Sequence, residues 1–257
     1  MISSLSFKPP LLLQTHATAK FPLDLKVFAP GSDKRAIYAL RYRAFIESQL
    51  IAPRDDGLFF DDYDDLETTC TLAAFNGDAC VGTFRLTFGQ GRPVGTLEEG
   101  CPSEVLKPSR PSGATMPCQS IFHDVGGLQA KGYLRLVEFT RLAVAPELNN
   151  TSFRTTLYAT LVRAGLIVAH AGATDYGLIS VNPSQVRFYE MMCGFNVMAR
   201  AEDYPGITQP AVLMGRDFRA LDAKRSKQNP FFRFTGTEVS CARALLFPHA
   251  EAEAAVA

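Results

Sequence analysis

Hydrophobic and polar positions divide the chain into alternating strand-like and helix-like runs. "DLKVFAP", from Asp24, reads as a first strand. A helix follows through "KRAIYALRYRAFIESQL", with Ser32 or Asp33 as its cap and Ile37, Leu40, Ala44 and Phe45 as its apolar stripe. Arg41 and Phe45 are four residues apart and share a face of that helix. "IAPRDDGLFFDDYDDLET" reads as a loop carrying Asp61, Asp62, Asp64 and Asp65. "TCTLAAFNGDACVGTFRLTF" reads as a hairpin around Asn76-Gly77-Asp78. From Gly89 to Gly132 the chain is rich in Pro, Gly and Ser and reads as a long surface excursion with one short helix.

The second half repeats the alternation. A strand spans Leu134–Val144, and a helix from about Ser152 to Ala171 has Phe153, Leu157, Leu161 and Val168 at helical spacing. "YGLISVN" is a strand, and "PSQVRFYEMMC" is a helix with Pro183 as its first residue. "GFNVMARA" and "PAVLMGRDF" are two further strands. The order predicts an α/β (α+β) fold with a mixed sheet. Residues 1–24 form a lead-in, 25–218 the folded domain, and 219–257 a C-terminal extension, basic around Lys224–Lys227 and rich in Ala at its end.

Composition narrows the function classes. The 257-residue chain is 47% hydrophobic and 20% charged, which predicts a packed core. Its formal net charge of zero argues against a general nucleic-acid surface, which needs a basic excess. The six cysteines form no CxxC pair, and no metal site is expected. A tight Asn76-Gly77 hairpin would set Cys80 opposite about Ala73, out of bridging reach of Cys70. Free thiols and the absence of an apolar run of membrane-spanning length predict a cytoplasmic protein. Neither GxGxxG nor GxxxxGK[ST] is present.

Several charges fall inside apolar elements. Arg85 lies in the strand "VGTFRLTF", and Glu138 and Arg141 lie in "VEFTRLAV". Taken singly, each is an edge or solvated residue. Together with Arg41, Asp61 and Asp64 they compose a set that can neutralise itself in a cleft. Glu138 and Arg141 are three apart, so a regular strand would point them to opposite faces. A β-bulge would bring both to one cleft and free backbone groups able to hold a thioester carbonyl or a pantetheine amide.

A strand, a polar turn opening a helix, then a strand and "N…FYE…GF" (Asn182, Tyr189, Gly194-Phe195) resemble the core of the GNAT-type N-acyltransferases. One extra residue separates "FYE" from "GF" and departs from that pattern. "RYRAF", "FDDYDD", "VGTFRL" and "VEFTRLAV" resemble the N-acyl homoserine lactone synthases and the related long-chain N-acyl amino acid synthases, typified by N-acyltyrosine synthase. The resemblance covers roughly residues 25–200. It implies a GNAT-like, mostly antiparallel central sheet flanked by helices, and transfer of an acyl group from a thioester to an amine.

The turn before the long helix bears on the donor. Ordinary acyl-CoA acetyltransferases carry glycines there, which let the CoA pyrophosphate approach the backbone. This chain has "ELNNTSFRTT", without Gly. Helix N–H groups, the hydroxyls of Thr151 and Ser152, and Arg154 suit a single phosphodiester. That favours acyl-carrier-protein phosphopantetheine over acyl-CoA as co-substrate, with no permanently bound cofactor. The absence of Trp, which the lactone synthases carry after the first helix, favours an amino-acid acceptor.

Roles follow from the resemblance and the chemistry. Glu138 is the expected base, directly or through water, and Tyr189 the expected acid. Arg141 and Arg85 orient the acids or grip a carboxylate, while Arg41, Phe45, Asp61 and Asp64 shape the acceptor side. Backbone groups at Leu142 and Val144 polarise the thioester carbonyl. Phe84 and Phe139 wall an acyl tunnel. Three other readings stay open: a homoserine lactone synthase requiring S-adenosylmethionine, a GNAT acetyltransferase using short acyl-CoA, and a non-catalytic acyl-binding module.

Overall fold

The computed structural model describes residues 3–5, 23–89, 116–122, 124–202, 204, 206–219 and 232–246. Their framework is an eight-stranded sheet: β1 (Ser3–Leu5), β2 (Asp24–Phe28), β3 (Thr69–Asn76), β4 (Ala79–Phe88), β5 (Leu136–Val144), β6 (Tyr176–Val181), β7 (Asn196–Ala201) and β8 (Ala211–Asp217). The spatial order is β1-β2-β3-β4-β5-β6-β8-β7, antiparallel throughout except for the parallel β5–β6 pair. The crossover between those two strands is the helix Thr151–Ala171, as a parallel pair requires.

Among the described residues, five α-helices accompany the sheet. They are α1 (Arg35–Glu47), α2 (Asp124–Ala130), α3 (Thr151–Ala171), the short α4 (Val186–Phe188) and α5 (Gly236–Leu246). α1 begins after Asp33, whose carboxylate accepts the Arg35 N–H at 3.1 Å, while Lys34 occupies the cap position. α3 is capped by Asn150, whose side chain accepts the Phe153 N–H at 2.9 Å. α5 falls in the C-terminal extension and is clamped to α3 by Arg163, which pairs with Glu238 at 2.7 Å. α2 lies in the glycine-rich excursion, most of which falls outside the described residues.

Strand alternation sorts β4 into two faces. Phe84, Leu86 and Phe88 point toward α3. Gly165, in the middle of α3, lies so close to Phe84 that an added Cβ would sit 2.6 Å from the ring. A mid-helix glycine costs about 1 kcal/mol relative to Ala, and this approach is its local reason. The opposite face carries Thr83, Arg85 and Thr87, all buried, with Thr71 of β3 and Glu138 of β5 beside them. α1 covers this polar stripe.

Two local readings need correction. The hairpin turn is Gly77-Asp78 rather than Asn76-Gly77, pairing Asn76 with Ala79, and the register shifts between Ala74 and Phe75. Cys80 therefore faces Phe75 rather than Ala73, and Cys70 faces Leu86. Cys70, Cys80, Cys118, Cys193 and Cys241 are free thiols; Cys101 lies outside the described residues. "PSQVRFYEMMC" is not one α-helix either. Asn182 caps a tight turn at Pro183–Gln185, α4 follows, and Tyr189–Cys193 form a π-turn ending on Gly194 in the left-handed conformation. A π-turn takes up one residue more than an α-turn, which accommodates the extra residue between "FYE" and "GF".

Candidate active site

The β-bulge lies in β5 at Arg141–Leu142. Thr140 pairs with Arg85 and Ala143 with Thr83, so two residues of β5 oppose Phe84 alone. Arg141 has φ +57°, a left-handed conformation unusual for a side chain of its size. The bulge turns Arg141 to the face already occupied by Arg85 and Glu138. Pairing between β5 and β6 stops at Phe139↔Ile179. Beyond that pair the two strands part, and a cavity of about 120 Å³ opens between them.

The cavity has an apolar and a polar side. Phe84, Phe139, Ile179 and Val181 supply apolar wall, joined by Phe45 and Leu50 from the α1 end. Phe84 and Phe139 stack at 5.6 Å between centroids, and Phe45 packs on Phe59 at 5.2 Å. Arg141, Ser180, Asn182, Tyr158, Tyr189 and Tyr204 are the polar residues on the other part of the lining, which the bulge residues Thr140 and Leu142 join.

Beneath it lies a charge network. Asp61 starts a short helical turn at Asp62–Asp65 and accepts the Tyr63 N–H, while Asp64 accepts the Asp61 N–H, a reciprocal cap that fixes both carboxylates. Asp61 receives Arg85 at 2.5 and 3.2 Å and Arg141 at 2.6 Å. Asp64 receives Arg41 at 2.6 Å and Arg85 at 3.1 Å. Lys34 closes the cluster on the Asp64 carbonyl and the Asp65 carboxylate. Burial alone would push Asp61 up, but the charges of Arg85 and Arg141 outweigh it and hold its carboxyl well below the usual range. Asp64 is lowered in the same way, with Arg41 and Arg85 overcoming its burial. The Nε atom of Arg141 is buried and has no hydrogen-bond partner, and Arg141 lies over the Phe59 ring at 4.4 Å.

Glu138 is fully buried. It accepts the Cys118 N–H at 2.9 Å and the Ser180 hydroxyl at 3.3 Å. Burial raises its pKa, opposed by these hydrogen bonds and by the charge of Arg85. Its carboxylate does not form part of the cavity wall, whereas Ser180 does. Tyr189, also buried, shares a hydrogen bond with the Tyr158 hydroxyl of α3. Burial pushes Tyr158 up to about 12 and raises Tyr189 well above the ordinary phenol value.

The structure thus gathers Arg41, Phe45, Asp61, Asp64, Phe84, Arg85, Glu138, Phe139, Arg141, Leu142 and Tyr189 in or directly under one cavity. Val144 pairs with Gly82 and does not line it. Thr151, Ser152 and Arg154 stand exposed on the first turn of α3, outside the cavity. Four residues escaped the sequence reading: Cys118, Tyr158, Ser180 and Tyr204. Tyr158 alone had a signal, as an aromatic residue directly after Leu157 on a helix already recognised.

The family described as N-acyl amino acid synthase FeeM matches residues 36–217. No curated protein matches the chain. Among solved structures, the chain is similar to FeeM, an N-acyl amino acid synthase from uncultured soil microbes. Identity is 18% and the TM-score 0.57, over 83% of this chain and 98% of that one. It is also similar to the AHL synthase LasI (12% identity, TM-score 0.48, 76% of this chain and 90% of that one). An acyl-CoA N-acyltransferase from Pseudomonas aeruginosa is similar at 14% identity and a TM-score of 0.45, over 76% of this chain and 99% of that one. At these identities the likeness to solved structures is one of fold.

Proposed function

The chain belongs to the FeeM family of N-acyl amino acid synthases and is therefore an acyltransferase, and on that premise we propose that it moves a long-chain fatty acyl group from acyl-carrier protein to the α-amine of an amino acid. The observation that carries this reading is the cavity at the β5–β6 fork, apolar along Phe84, Phe139, Ile179 and Val181 and polar at Arg141, Ser180 and Tyr204. An acyl chain needs the first wall and a zwitterionic acceptor the second.

In this reading Glu138 is the general base. An α-amine is largely protonated near neutral pH and attacks only after losing a proton. Burial makes the Glu138 carboxylate more basic than an exposed one, which suits the task. Backbone groups of the bulge near Leu142 polarise the thioester carbonyl. Arg41, Arg85, Asp61 and Asp64 brace the floor, because their charges are already spent on one another. Arg41 and Arg141 both keep buried guanidinium nitrogens without a hydrogen-bond partner, but Arg141 is the one that lines the cavity, so its Nε is the donor offered to the acceptor's carboxylate. Tyr189, bonded to Tyr158, supplies the proton to the departing thiolate.

The donor assignment rests on the start of α3. Asn150 caps the helix, leaving the Thr151 and Ser152 hydroxyls and Arg154 exposed to meet one phosphate. The test is to supply purified protein with a free amino acid and, separately, long-chain acyl-carrier protein or acyl-CoA, and to measure N-acyl amino acid by mass spectrometry. Turnover with the carrier protein supports the reading, and turnover with CoA alone overturns the donor. A strict need for S-adenosylmethionine would overturn the acceptor.

A further inference from the structure

Among the described residues, Cys118, through its N–H and its thiol, and Ser180 hold the Glu138 carboxylate, and the two residues face different surroundings. The Cys118 N–H donates to Oε2 at 2.9 Å from a buried turn outside the cavity. The Ser180 hydroxyl donates to Oε1 at 3.3 Å and lines the cavity. Ser180 is the first β6 residue beyond the last β5–β6 pair, so the parting of the strands that opens the cavity also exposes Ser180 to it. Glu138 itself has no surface there. A hydroxyl that donates its one proton keeps two lone pairs for acceptance, and Ser180, half-buried, is part of the cavity lining.

We propose that Ser180 is the proton relay between the acceptor amine and Glu138. This rests on the reading of Glu138 as the base. The acceptor amine, its ammonium proton given up to water on entry, attacks the thioester carbon, forming the N–C bond and moving the carbonyl electron pair onto oxygen. The proton leaving nitrogen passes to Ser180 Oγ as the Ser180 proton passes to Glu138 Oε1. The tetrahedral intermediate then collapses, and the C–S bond breaks with its electron pair going to sulfur. The thiolate takes up a proton from Tyr189. Glu138 releases the proton it received, which restores Tyr189 through water, so the site ends as it began.

Tyr204 is the competing route. It too lines the cavity, and the charge of Glu138 acts on its hydroxyl. Ser180 is favoured because it is the cavity residue hydrogen-bonded to the carboxylate.

The experiment compares steady-state kinetics and thermal midpoints of the wild type, Ser180→Ala, Ser180→Thr, Tyr204→Phe, Glu138→Gln and the Ser180→Ala/Glu138→Gln double variant. The expected result is that Ser180→Ala lowers kcat by about 10²-fold, with KM for the acyl donor and the thermal midpoint unchanged. Ser180→Thr, which keeps the hydroxyl, should restore kcat to within a few fold. The double variant should be no slower than Glu138→Gln, because a broken relay has nothing further to lose. Wild-type kcat in Ser180→Ala alongside a slow Glu138→Gln overturns the relay and leaves the base standing. Wild-type kcat in Glu138→Gln overturns the base itself. Additive losses in the double variant, or a loss in Tyr204→Phe with none in Ser180→Ala, also overturn the assignment to Ser180.

Discussion

Asp61 receives two nitrogens of Arg85, at 2.5 and 3.2 Å, across 24 residues of sequence. Arg141 reaches the same carboxylate at 2.6 Å. One aspartate thus ties the first helical turn after α1 to both β4 and the β5 bulge. With Asp64 and Arg41 it forms a network whose members are mostly sealed from solvent.

Acid should unfold this protein through that network. Both Asp61 and Asp64 are held below their ordinary values in the folded state. A carboxyl depressed on folding contributes stability that is fully present above its unfolded value of about 3.9 and lost as pH falls toward the folded one. The thermal midpoint should therefore drop as pH goes from about 5 to 3. Asp64→Asn should destabilise the protein by about 3–5 kcal/mol at neutral pH, since it leaves buried Arg41 uncompensated. Urea unfolding at pH 7 and pH 4 checks both, with the variant showing the shallower pH dependence.

Glu138 carries the opposite sign. Its pKa is raised by burial, so the folded state holds its proton more tightly than the unfolded one, and stability falls as pH rises through that window. Glu138→Gln removes the cost of burying the charge. It keeps an acceptor for the Cys118 N–H and presents an amide to the Ser180 oxygen. The variant should slow acyl transfer by roughly 10²–10⁴-fold while unfolding no more readily than the wild type at pH 8. Turnover and thermal midpoints across pH 5–8 test the pair of outcomes, and a destabilised variant would contradict the desolvation argument.

Charges embedded in apolar runs were the most informative sequence signal. Arg85, Glu138 and Arg141 interrupt strands that are otherwise hydrophobic, and a core accepts such groups only in mutual pairs. That reasoning anticipates one cleft, and the bulge that makes it possible, because a three-residue spacing cannot share a face on a regular strand. The bulge's position at Arg141 has no local signature, since no glycine marks its positive φ. Cys118 and Tyr204 were invisible for a related reason. They come from connecting segments without periodicity, and only tertiary packing brings them to Glu138 and Arg141. Ser180 sits in a recognised strand, but its role depends on where β5 and β6 part. α5 carries one legible start signal, the Thr235–Glu238 capping box, yet its packing on α3 depends on Arg163 meeting Glu238.

The donor phosphate should be read by the exposed start of α3. On the proposed donor reading, Arg154→Glu would replace a charge-assisted hydrogen bond with repulsion, so KM for acyl-carrier protein should rise by about 10-fold or more. Because Arg154 is exposed, the thermal midpoint should hold. An acyl-pantetheine lacking phosphate serves as the control. Its turnover should be the same in both proteins, and equal losses with both donors would show that Arg154 acts elsewhere.

Acyl-chain selectivity should be tunable from the far side of the sheet. Gly165 of α3 abuts the Phe84 ring, where a Cβ would come within 2.6 Å of one ring carbon and 2.8 Å of the next, and within 3.6 Å of Phe139. Both rings line the cavity and stack on each other. Gly165→Ala gains about 1 kcal/mol in helix propensity but overpacks a dense core at a cost of about 1–3 kcal/mol. The net expectation is a small loss of stability. The larger consequence is geometric, because the phenyl pair can relieve the contact only by shifting toward the empty space of the cavity. Turnover of long acyl donors should then fall relative to short ones, in a series of carrier-bound acyl chains of increasing length. Unchanged selectivity across that series would mean that the acyl chain does not pass the Phe84–Phe139 wall.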